Sequence, residues 1–375
     1  MSTGARPDAI VVGAGIVGAA CALELARDGR RVLVLDAGEV AGGTTAAGMG
    51  HLVALDDSPA QLALAAYSLG LWRALVPLLG DPAAYRNTGT LWIAEDDAQL
   101  AAAREKGATY AAAGVATELL DARALHDAEP ALRDGLAGAL RVPGDGVLLP
   151  PPAARRLLEL ARDLGAELRE RHAVTGLGPH EVHTAHGVLR ADVIVNATGP
   201  WAPRLAPELP ILPRKGHLVL VDAGDATCHH QLVELGYLAS AHGMSGNSVA
   251  FNVQPRANGR LLVGSSRELA GWDTSVSDAM VLRMLDRARH FMPALAQATP
   301  EHVRTGFRPA TPDGLPYIGA WPGVPGHWVA AGHEGLGLTT APGTARLLTD
   351  LIAGRAPAIG AAPYDPARVL DTPRP

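Results

Sequence analysis

Residues 9–36 read AIVVGAGIVGAACALELARDGRRVLVLD. The first apolar run ends in Gly13, Gly15 and Gly18, and an apolar-faced helical pattern follows immediately, which predicts a strand, a tight turn and a helix. A second apolar run ends in Asp36, about 20 residues after the glycines, where a carboxylate can accept hydrogen bonds from ribose hydroxyls. The stretch therefore predicts a Rossmann-like turn that binds a dinucleotide through its pyrophosphate.

Each glycine in this turn has its own physical reason. Gly13 permits the tight turn, Gly15 lets the backbone approach a pyrophosphate, and Gly18 lets the helix lie close to the strand. A glycine pattern alone is weak evidence, but here the preceding strand, the following helix and Asp36 agree with it.

The composition excludes several classes of protein. Across 375 residues the formal net charge is −6 and no basic stretch occurs, which argues against nucleic acids and anionic membrane surfaces as partners. Cys21 and Cys228 are the only cysteines and form no C-x-x-C pair, so we expect no disulfide scaffold and predict no bound metal. No run of about 18 uncharged apolar residues occurs. This predicts that the chain has no transmembrane segment and no signal peptide, and hence that the protein is cytoplasmic.

Three further segments have the composition of ligand-binding turns. Residues 37–50 (AGEVAGGTTAAGMG) are too small and polar for a core and suit a loop that wraps a phosphate or a ring, although a flexible surface loop is the alternative. Residues 192–201 (DVIVNATGPW) predict a buried strand whose end either meets a ligand or is an ordinary turn. Residues 327–343 (HWVAAGHEGLGLTTAPG) repeat the strand, turn and helix of the opening, so a second helix N-terminus can stabilise negative charge on a ligand.

The remaining segments indicate a second domain. Residues 81–137 and 213–301 are rich in short predicted strands, and we assign them to a substrate-binding domain, with 1–80, 138–212 and 302–375 forming the dinucleotide-binding domain. Tyr237 and Trp272 are candidates for a pocket wall, although solitary aromatic residues more often serve packing. Arg308, between Phe307 and Pro309, is either a surface ion pair or a clamp for a substrate carboxylate, and its apolar neighbours favour the clamp.

In this order, the motifs resemble the FAD-dependent D-amino-acid oxidase superfamily, most closely its glycine oxidase and sarcosine oxidase-like branch. The resemblance covers nearly the whole chain and implies a fold of the α/β plus α+β class, with a Rossmann-like FAD-binding domain and an antiparallel-sheet substrate domain. Within the branch, GGTTAAGMGHL at 42–52 and PRKGHL at 213–218 look most like the catalytic subunits of bacterial D-hydroxyproline dehydrogenases and the related opine oxidase and cyanide synthase subunits.

The resemblance implies that FAD is bound non-covalently, because Gly306 stands near the place where sarcosine oxidase relatives attach it through a cysteine. It also implies that Val174 contacts the adenine through its backbone. The full set of expected cofactor contacts is Gly13, Gly15, Ile16, Val17, Gly18, Asp36, Ala37, Thr44, Thr45, Ala47, Gly48, Met49, Val174, Ala197, Thr198, Gly199, Gly332, His333, Gly335, Leu336, Gly337 and Leu338.

The implied chemistry is oxidation of a carbon–nitrogen bond in a small amino or imino acid, with the α-hydrogen passing as hydride to flavin N5. Arg308 would hold the carboxylate, Met49 and His51 would shape the ring face, and Asn252 and Glu334 would complete the substrate site. His51 and His333 are the candidates if a general base exists, although loop histidines are more often structural.

Two departures from glycine oxidases concern the substrate. The turn Glu334-Gly335-Leu336 carries no arginine, which leaves Arg308 as the single expected clamp and frees volume for an apolar ring. Asn252 stands where a tyrosine is expected and could meet a ring hydroxyl. A hydroxylated cyclic D-amino acid such as cis-4-hydroxy-D-proline fits these features.

The electron acceptor is expected to be something other than oxygen. Sarcosine oxidase relatives activate oxygen with a lysine above the flavin, whereas Lys106 and Lys215, the only lysines here, are predicted in a polar helix and in a connector. A dye, a quinone, or an iron–sulfur and flavin partner subunit would then take the electrons. The alternatives are a true oxidase of glycine, sarcosine or opine-type amines, a flavin-binding assembly subunit without turnover, and a pyridine-nucleotide enzyme, against which the C-terminal segment favours FAD.

Overall fold

The computed structural model describes residues 6–224, 226–236 and 247–369, so that Tyr237 lies outside the described residues. The strands are β1 (Ala9–Val12), β2 (Val32–Leu35), β3 (His51–Leu52), β4 (Thr90–Ala94), β5 (Glu118–Asp121), β6 (Gly138–Val142), β7 (Gly146–Val147), β8 (Glu167–Arg169), β9 (Val174–Gly178), β10 (Glu181–Thr184), β11 (Gly187–Arg190), β12 (Val193–Asn196), β13 (Leu212–Asp222), β14 (Gln231–Glu234), β15 (Ser248–Pro255), β16 (Arg260–Arg267), β17 (Thr299–Ala310), β18 (Tyr317–Ala320) and β19 (His327–Ala331). The α-helices are α1 (Ile16–Arg27), α2 (Thr44–Ala47), α3 (Pro59–Leu79), α4 (Asp97–Ala112), α5 (Ala122–Ala128), α6 (Pro150–Asp163), α7 (Asp278–Phe291) and α8 (Gly337–Ile352).

A six-stranded sheet in the order β18-β19-β12-β1-β2-β8 forms one half of the fold. Its pairs are parallel except for β18 with β19. Ala9 and Val11 pack into the cluster that contains α1, α6 and α8, whereas Ile10 and Val12 pack against the small sheet β9–β11. Both faces of β1 are therefore buried, which explains its uninterrupted apolar sequence and confirms the predicted Rossmann-like unit.

The close approach of α1 to β1 depends on a glycine. A Cβ added at Gly18 would lie 1.9 Å from the carbonyl oxygen of Gly13, a distance that no real Cβ contact reaches. Because the obstacle is backbone, a rotamer change cannot relieve it. Gly18 therefore fixes the position at which the helix N-terminus meets the end of the strand.

An eight-stranded sheet in the order β17-β13-β16-β15-β14-β4-β6-β5 forms the other half. The expectation of an antiparallel sheet needs one correction, because β14 and β4 are parallel neighbours. On its outer face α7 covers the sheet, where the rings of Phe251 and Phe291 stack with centroids 4.3 Å apart. The other face of this sheet is left for the cavity described below.

The predicted domain boundaries cut across this sheet at two places. Residues 138–142 were expected with the FAD-binding segments, yet β6 pairs with β4 and β5. The predicted boundary at residue 302 likewise divides β17, which pairs with β13 along its length. The pairing partners of β6 and β17 cannot be identified from local sequence patterns. The other predicted domain boundaries stay a prediction.

Helix α3 is long and apolar enough to cross a membrane by length and composition alone. No such segment was predicted from the sequence. Core helices of soluble proteins pass the same test. Here the indole nitrogen of Trp72 donates to the carbonyl oxygens of Leu338 and Thr339, at 3.1 and 3.0 Å. The helix thus packs against the start of α8.

The glycine argument predicts opposite results for two alanine substitutions. Gly18→Ala should destabilise the protein by about 1–3 kcal/mol through overpacking. Gly70→Ala, in α3, should be neutral or stabilise by up to about 1 kcal/mol, since nothing lies within 4 Å of the added Cβ and alanine favours helix. Thermal unfolding of both variants measures the difference. Equal melting temperatures would show that α1 shifts to accommodate a methyl group without cost.

Candidate active site

A cavity of about 840 Å³ lies between the two large sheets. The glycine-rich turns of the six-stranded sheet line one side. The inner face of the eight-stranded sheet lines the other, and we call this the sheet face, defined by Trp92, Val233, Asn252, Leu218, Gly216 and Arg308. The volume is within the range typical of ligand and cofactor sites.

One end of the cavity has the groups expected for a dinucleotide. The Asp36 carboxylate accepts from the backbone N–H of Ala14 at 2.6 Å and of Gly38 at 2.8 Å, and its residue lines the cavity. The hydroxyl of Thr45 accepts from the N–H of Ile16 at 3.0 Å, at the start of α1. A polar group therefore already occupies a hydrogen-bonding position at this helix N-terminus, where donor N–H groups favour an anion.

Most of the predicted cofactor and substrate residues are brought together. Those that line the cavity are Gly13, Gly15, Ile16, Val17, Asp36, Ala37, Thr44, Thr45, Ala47, Gly48, Met49, His51, Val174, Ala197, Thr198, Gly199, Asn252, Arg308, His333, Glu334, Gly335, Leu336, Gly337 and Leu338. The two exceptions, Gly18 and Gly332, lie outside the lining. Gly18 serves the packing of α1, and Gly332 has a φ of 87° that accommodates the turn after β19.

The glycine cradle tests whether FAD fits these residues. A Cβ at Gly13 would lie 2.6 Å from the carbonyl oxygen of Ala197, and one at Gly15 would lie 3.2 Å from Thr45 Oγ1. The two glycines thus let the turn before α1 lie close to Ala197 and Thr45, and Gly335 and Gly337 lie at the start of α8 in the same cavity lining. Two helix N-termini facing one elongated cavity suit the pyrophosphate and the ring of FAD.

Met49 is held at the other end by its backbone. Arg304 donates to the carbonyl oxygen of Gly48 at 3.0 Å, and Arg256 donates to that of Met49. The thioether of Met49 approaches Gly264, where an added Cβ would lie 3.5 Å from the sulfur. This loop, predicted as either ligand-binding or flexible, is therefore fixed by charge-assisted hydrogen bonds.

Arg308 lies in β17, opposite Arg214 in the ladder with β13. Its Nη1 donates to the carbonyl oxygen of Ser266 at 2.9 Å. A Cβ at Gly216 would lie 2.3 Å from the same nitrogen, so this glycine makes the room that the guanidinium occupies. The position agrees with the predicted carboxylate clamp.

Two further arginines were missed by the sequence interpretation. Arg214, predicted in a connector, and Arg267 both line the cavity, and Arg214 Nη1 lies 3.5 Å from Glu334 Oε1. Burial raises the pKa of Glu334, while Arg214, Arg308 and Arg267 oppose the rise. The expectation of a single arginine is therefore wrong. The alternation of Arg214, Gly216 and Leu218 along β13 is the signal that could have placed Arg214 on the sheet face.

Asn252 lies in a row across the sheet face, next to Val233, which is next to Trp92. Gln231 Nε2 donates to Asn252 Oδ1. This bond fixes the orientation of the amide, and Nδ2 remains as the donor that a ligand in the cavity can use. The predicted role of Asn252 toward a ring hydroxyl stays a prediction, with Nδ2 as its donor and the second lone pair of Oδ1 as its acceptor.

The two candidate histidines are uncharged at neutral pH. Loss of hydration lowers the pKa of His51 to about 3 and that of His333 to about 3. His51 Nε2 is 2.8 Å from Thr90 Oγ1, and His333 Nε2 is 3.0 Å from Thr344 Oγ1. Neither imidazole can therefore hold a resting positive charge beside a ligand.

The lysines and cysteines all lie outside the lining, and Lys215 lies in a strand rather than in the predicted connector. Lys106 lies in a helix as predicted, is 7% exposed, and pairs with Asp56 behind Trp92. Lys215 belongs to β13, is 1% exposed and donates to Asp273 at 2.7 Å. Cys21 and Cys228 are both buried away from the cavity.

The expected pocket wall at Trp272 also needs correction. Trp272 is 42% exposed and stacks on Trp201, with ring centroids 5.4 Å apart. Trp201 lines the cavity and Trp272 does not. The wall residue is thus the tryptophan of the predicted strand-end turn, and Trp272 covers it from outside.

Comparisons with known proteins agree with this geometry. The profile of a family described as FAD dependent oxidoreductase matches residues 8–351. Glycine oxidase from Pseudomonas putida is 33% identical over 95% of this chain and 97% of its own, and D-amino acid dehydrogenase from Cereibacter sphaeroides is 32% identical over 94% and 93%. The crystal structure of glycine oxidase from Geobacillus kaustophilus superimposes with a TM-score of 0.86, at 30% identity and covering 97% and 99% of the two chains.

Gly216 and Gly306, which are paired across β13 and β17, give a matched test of the two sides of the site. Gly216→Ala should displace Arg308 and weaken substrate binding while FAD stays bound. Gly306→Ala should instead weaken FAD retention, because the added Cβ would lie 2.2 Å from the Cβ of Ala47 in α2.

Flavin content after gel filtration and substrate affinity from anaerobic flavin reduction separate these outcomes. Arg308→Ala is the control, since removing one partner of a desolvated charge pair costs roughly 2–5 kcal/mol. The assignment of the two sides fails if Gly216→Ala loses flavin and Gly306→Ala keeps it.

Proposed function

Because the chain belongs to the FAD-dependent oxidoreductase family and is an amino acid oxidoreductase, we propose that its substrate is a hydroxylated cyclic D-amino acid of the D-hydroxyproline type. The observation that carries the proposal is the sheet face, where an anchored guanidinium lies on the same surface as apolar side chains and one amide. A compact ring with one carboxylate and one hydroxyl matches these groups.

The reacting carbon is positioned by groups at a distance from it. Arg308 binds the carboxylate, and its bond to Ser266 fixes the direction of the guanidinium before substrate arrives. Met49, Leu218 and Val233 exclude water from the ring. FAD, when bound, would supply the acceptor for the hydride that leaves the α-carbon as the C–N bond becomes C=N. The start of α8 favours negative charge on the ring system beside it.

Asn252 is the group that distinguishes a hydroxylated ring. Its amide is 8% exposed and its oxygen is already bonded to Gln231, so an unhydroxylated ring would leave a buried donor without a partner. Such a loss costs roughly 1–3 kcal/mol. The site should therefore discriminate by about tenfold or more between the two rings.

We also propose an electron acceptor other than oxygen. Neither Lys106 nor Lys215 lines the cavity, so neither provides a cation over the flavin ring. A quinone, or iron–sulfur and flavin partner subunits, are the acceptors that this proposal includes. The cytoplasmic location expected from the sequence stays part of it.

A second candidate is favoured by Arg214 and Arg267. Three guanidinium groups lie around Glu334 in the lining, which also contains Asp57, and guanidinium groups bind carboxylates well, so a substrate with two carboxylates is the second candidate. An opine-type secondary amine, oxidised at the same C–N bond, would use Arg308 for one carboxylate and Arg214 with Arg267 for the other.

Anaerobic flavin reduction by three compounds distinguishes the candidates. We expect cis-4-hydroxy-D-proline to bind about tenfold more tightly than D-proline, and Asn252→Ala to abolish that difference while the flavin content is unchanged. Iminodiacetate is the diacid control. Reduction by iminodiacetate alone would replace the primary proposal with the second candidate, and equal affinities for the two rings would remove the role of Asn252.

The acceptor is tested with the same substrate under air. Reduction of an artificial dye should be much faster than formation of hydrogen peroxide, because no lysine lies in the lining to stabilise reduced oxygen species. The measurement compares the two rates at equal enzyme and substrate concentration. Peroxide formed as fast as reduced dye would identify a true oxidase.

A further inference from the structure

A hydrogen-bonded chain leads away from the cavity through three residues on different strands and loops. His51 Nε2 is 2.8 Å from Thr90 Oγ1, and the Thr90 hydroxyl donates to Asp145 Oδ2 at 2.6 Å. His51 lines the cavity, whereas Thr90 and Asp145 are fully buried. Because the hydroxyl proton of Thr90 points to Asp145, its oxygen accepts from His51, which places the resting ring proton on Nε2.

The far end of the chain lies in the protein interior. Asp145 is fully buried, and the space of about 420 Å³ next to it is also lined by Arg73 and Gly144. The His51–Thr90–Asp145 chain therefore runs from the substrate cavity to a buried carboxylate. Imidazole, hydroxyl and carboxylate can each both accept and release a proton, so the chain has no break in its bonding.

The backbone holds the chain in register. The carbonyl oxygen of His51 accepts from Thr339 Oγ1 at 3.0 Å, which ties the histidine to the start of α8. Asp145 Oδ1 accepts from the N–H of Ala54 at 3.1 Å, and its backbone oxygen accepts from Asn87 Nδ2 at 2.7 Å. With His51 and Asp145 held in this way, the Thr90 hydroxyl joins the imidazole to the carboxylate.

We propose that His51, Thr90 and Asp145 form a proton route that removes a proton from the substrate ammonium group before the C–N bond is oxidised. The N–H bond of the ammonium breaks as His51 Nδ1 accepts its proton. The Nε2 proton passes to Thr90, and the Thr90 hydroxyl proton passes to Asp145. One N–H bond breaks at the amine and one O–H bond forms at Asp145, and no electrons are transferred in this step.

The surroundings of Asp145 suit a terminal acceptor. Burial raises the pKa of Asp145 to about 7, and the Thr90 hydroxyl, the Ala54 N–H and the charge of Lys106 oppose that rise. The other titratable groups around it are Asp56, which pairs with Lys106, and Tyr110, Tyr85 and Arg73. Near neutral pH the carboxyl can therefore take up a proton and release it again.

The proposal rests on the proposed function only because it requires an amine substrate. Two variants of Thr90 test it. Thr90→Val removes the hydroxyl at nearly constant shape, whereas Thr90→Ser keeps it. At pH 7 the anaerobic flavin reduction of Thr90→Val, expressed as rate over substrate dissociation constant, should fall roughly 10²-fold. At pH 10, where free substrate carries a neutral amine, it should approach the wild-type value. Thr90→Ser should follow the wild type at both pH values.

Two outcomes would overturn the route. If Thr90→Val reduces the flavin as fast as the wild type at pH 7, the chain carries no proton. If Thr90→Val is equally slow at pH 7 and pH 10, Thr90 is merely structural. If no amino acid reduces the wild-type flavin, the proposed function fails and the route fails with it. Wild-type reduction with an unaffected Thr90→Val removes the route alone.

Infrared spectra of the FAD-loaded enzyme without substrate give a readout independent of turnover. The carbonyl band of a buried carboxylic acid should be present at pH 6, decrease by pH 8, and be missing from Asp145→Asn at both. Flavin content and melting temperature of that variant verify that it is folded. Identical spectra for Asp145→Asn and the wild type would show that Asp145 does not exchange a proton in this range and would overturn the proposal.

Discussion

The pairing of β13 with β17 is the constraint on which the site depends. In the chain β13 follows β12 and β17 precedes β18, both of which belong to the six-stranded sheet, yet β13 and β17 pair with each other in the eight-stranded sheet. Their ladder therefore lies where the chain passes from one sheet to the other. Where Gly216 and Gly306 pair, the lack of side chains leaves room on the cavity face of the sheet, for α2 next to Gly306 and for the Arg308 guanidinium next to Gly216.

Charge in the cavity follows from the same ladder. The register places Arg214 opposite Arg308, and like charges directly opposite in a sheet repel each other. Glu334, at a φ of 48° in the turn before α8, brings a carboxylate within 3.5 Å of Arg214. The chain thus balances part of the positive charge of these arginines itself.

Local chemistry explains which parts of the site could be predicted from the sequence. The turn after β1, Asp36 and the start of α8 are recognisable because a glycine or a helix N-terminus has its role within a few residues. Arg308 was predicted from its apolar neighbours. Arg214 and Arg267 were not, because their position over the cavity depends on the register among β13, β16 and β17, which no short segment encodes. The burial of Lys106 was likewise not evident from the sequence, because its partner, Asp56, is 50 residues away.

The contacts of the candidate bases also depend on residues that are distant in the sequence. The sequence identified His51 as a loop residue beside the flavin, and nothing near it in the sequence indicates Thr90 or Asp145. Only the three-dimensional structure shows that His51 lines the cavity and that its imidazole contacts the Thr90 hydroxyl, which donates to the buried Asp145 carboxylate. His333 was predicted as a candidate base in the same way as His51, and the structure places its Nε2 against Thr344 in α8.

The central claim is that a substrate carboxylate binds Arg308 with the ring between the sheet face and FAD. A crystal structure of the FAD-loaded enzyme with pyrrole-2-carboxylate, an unreactive planar ring acid, tests it most directly. The account predicts carboxylate oxygens at roughly 3 Å from the Arg308 guanidinium and the ring against Met49 and Val233. A carboxylate bound by Arg214 and Arg267 with no contact to Arg308 would contradict it.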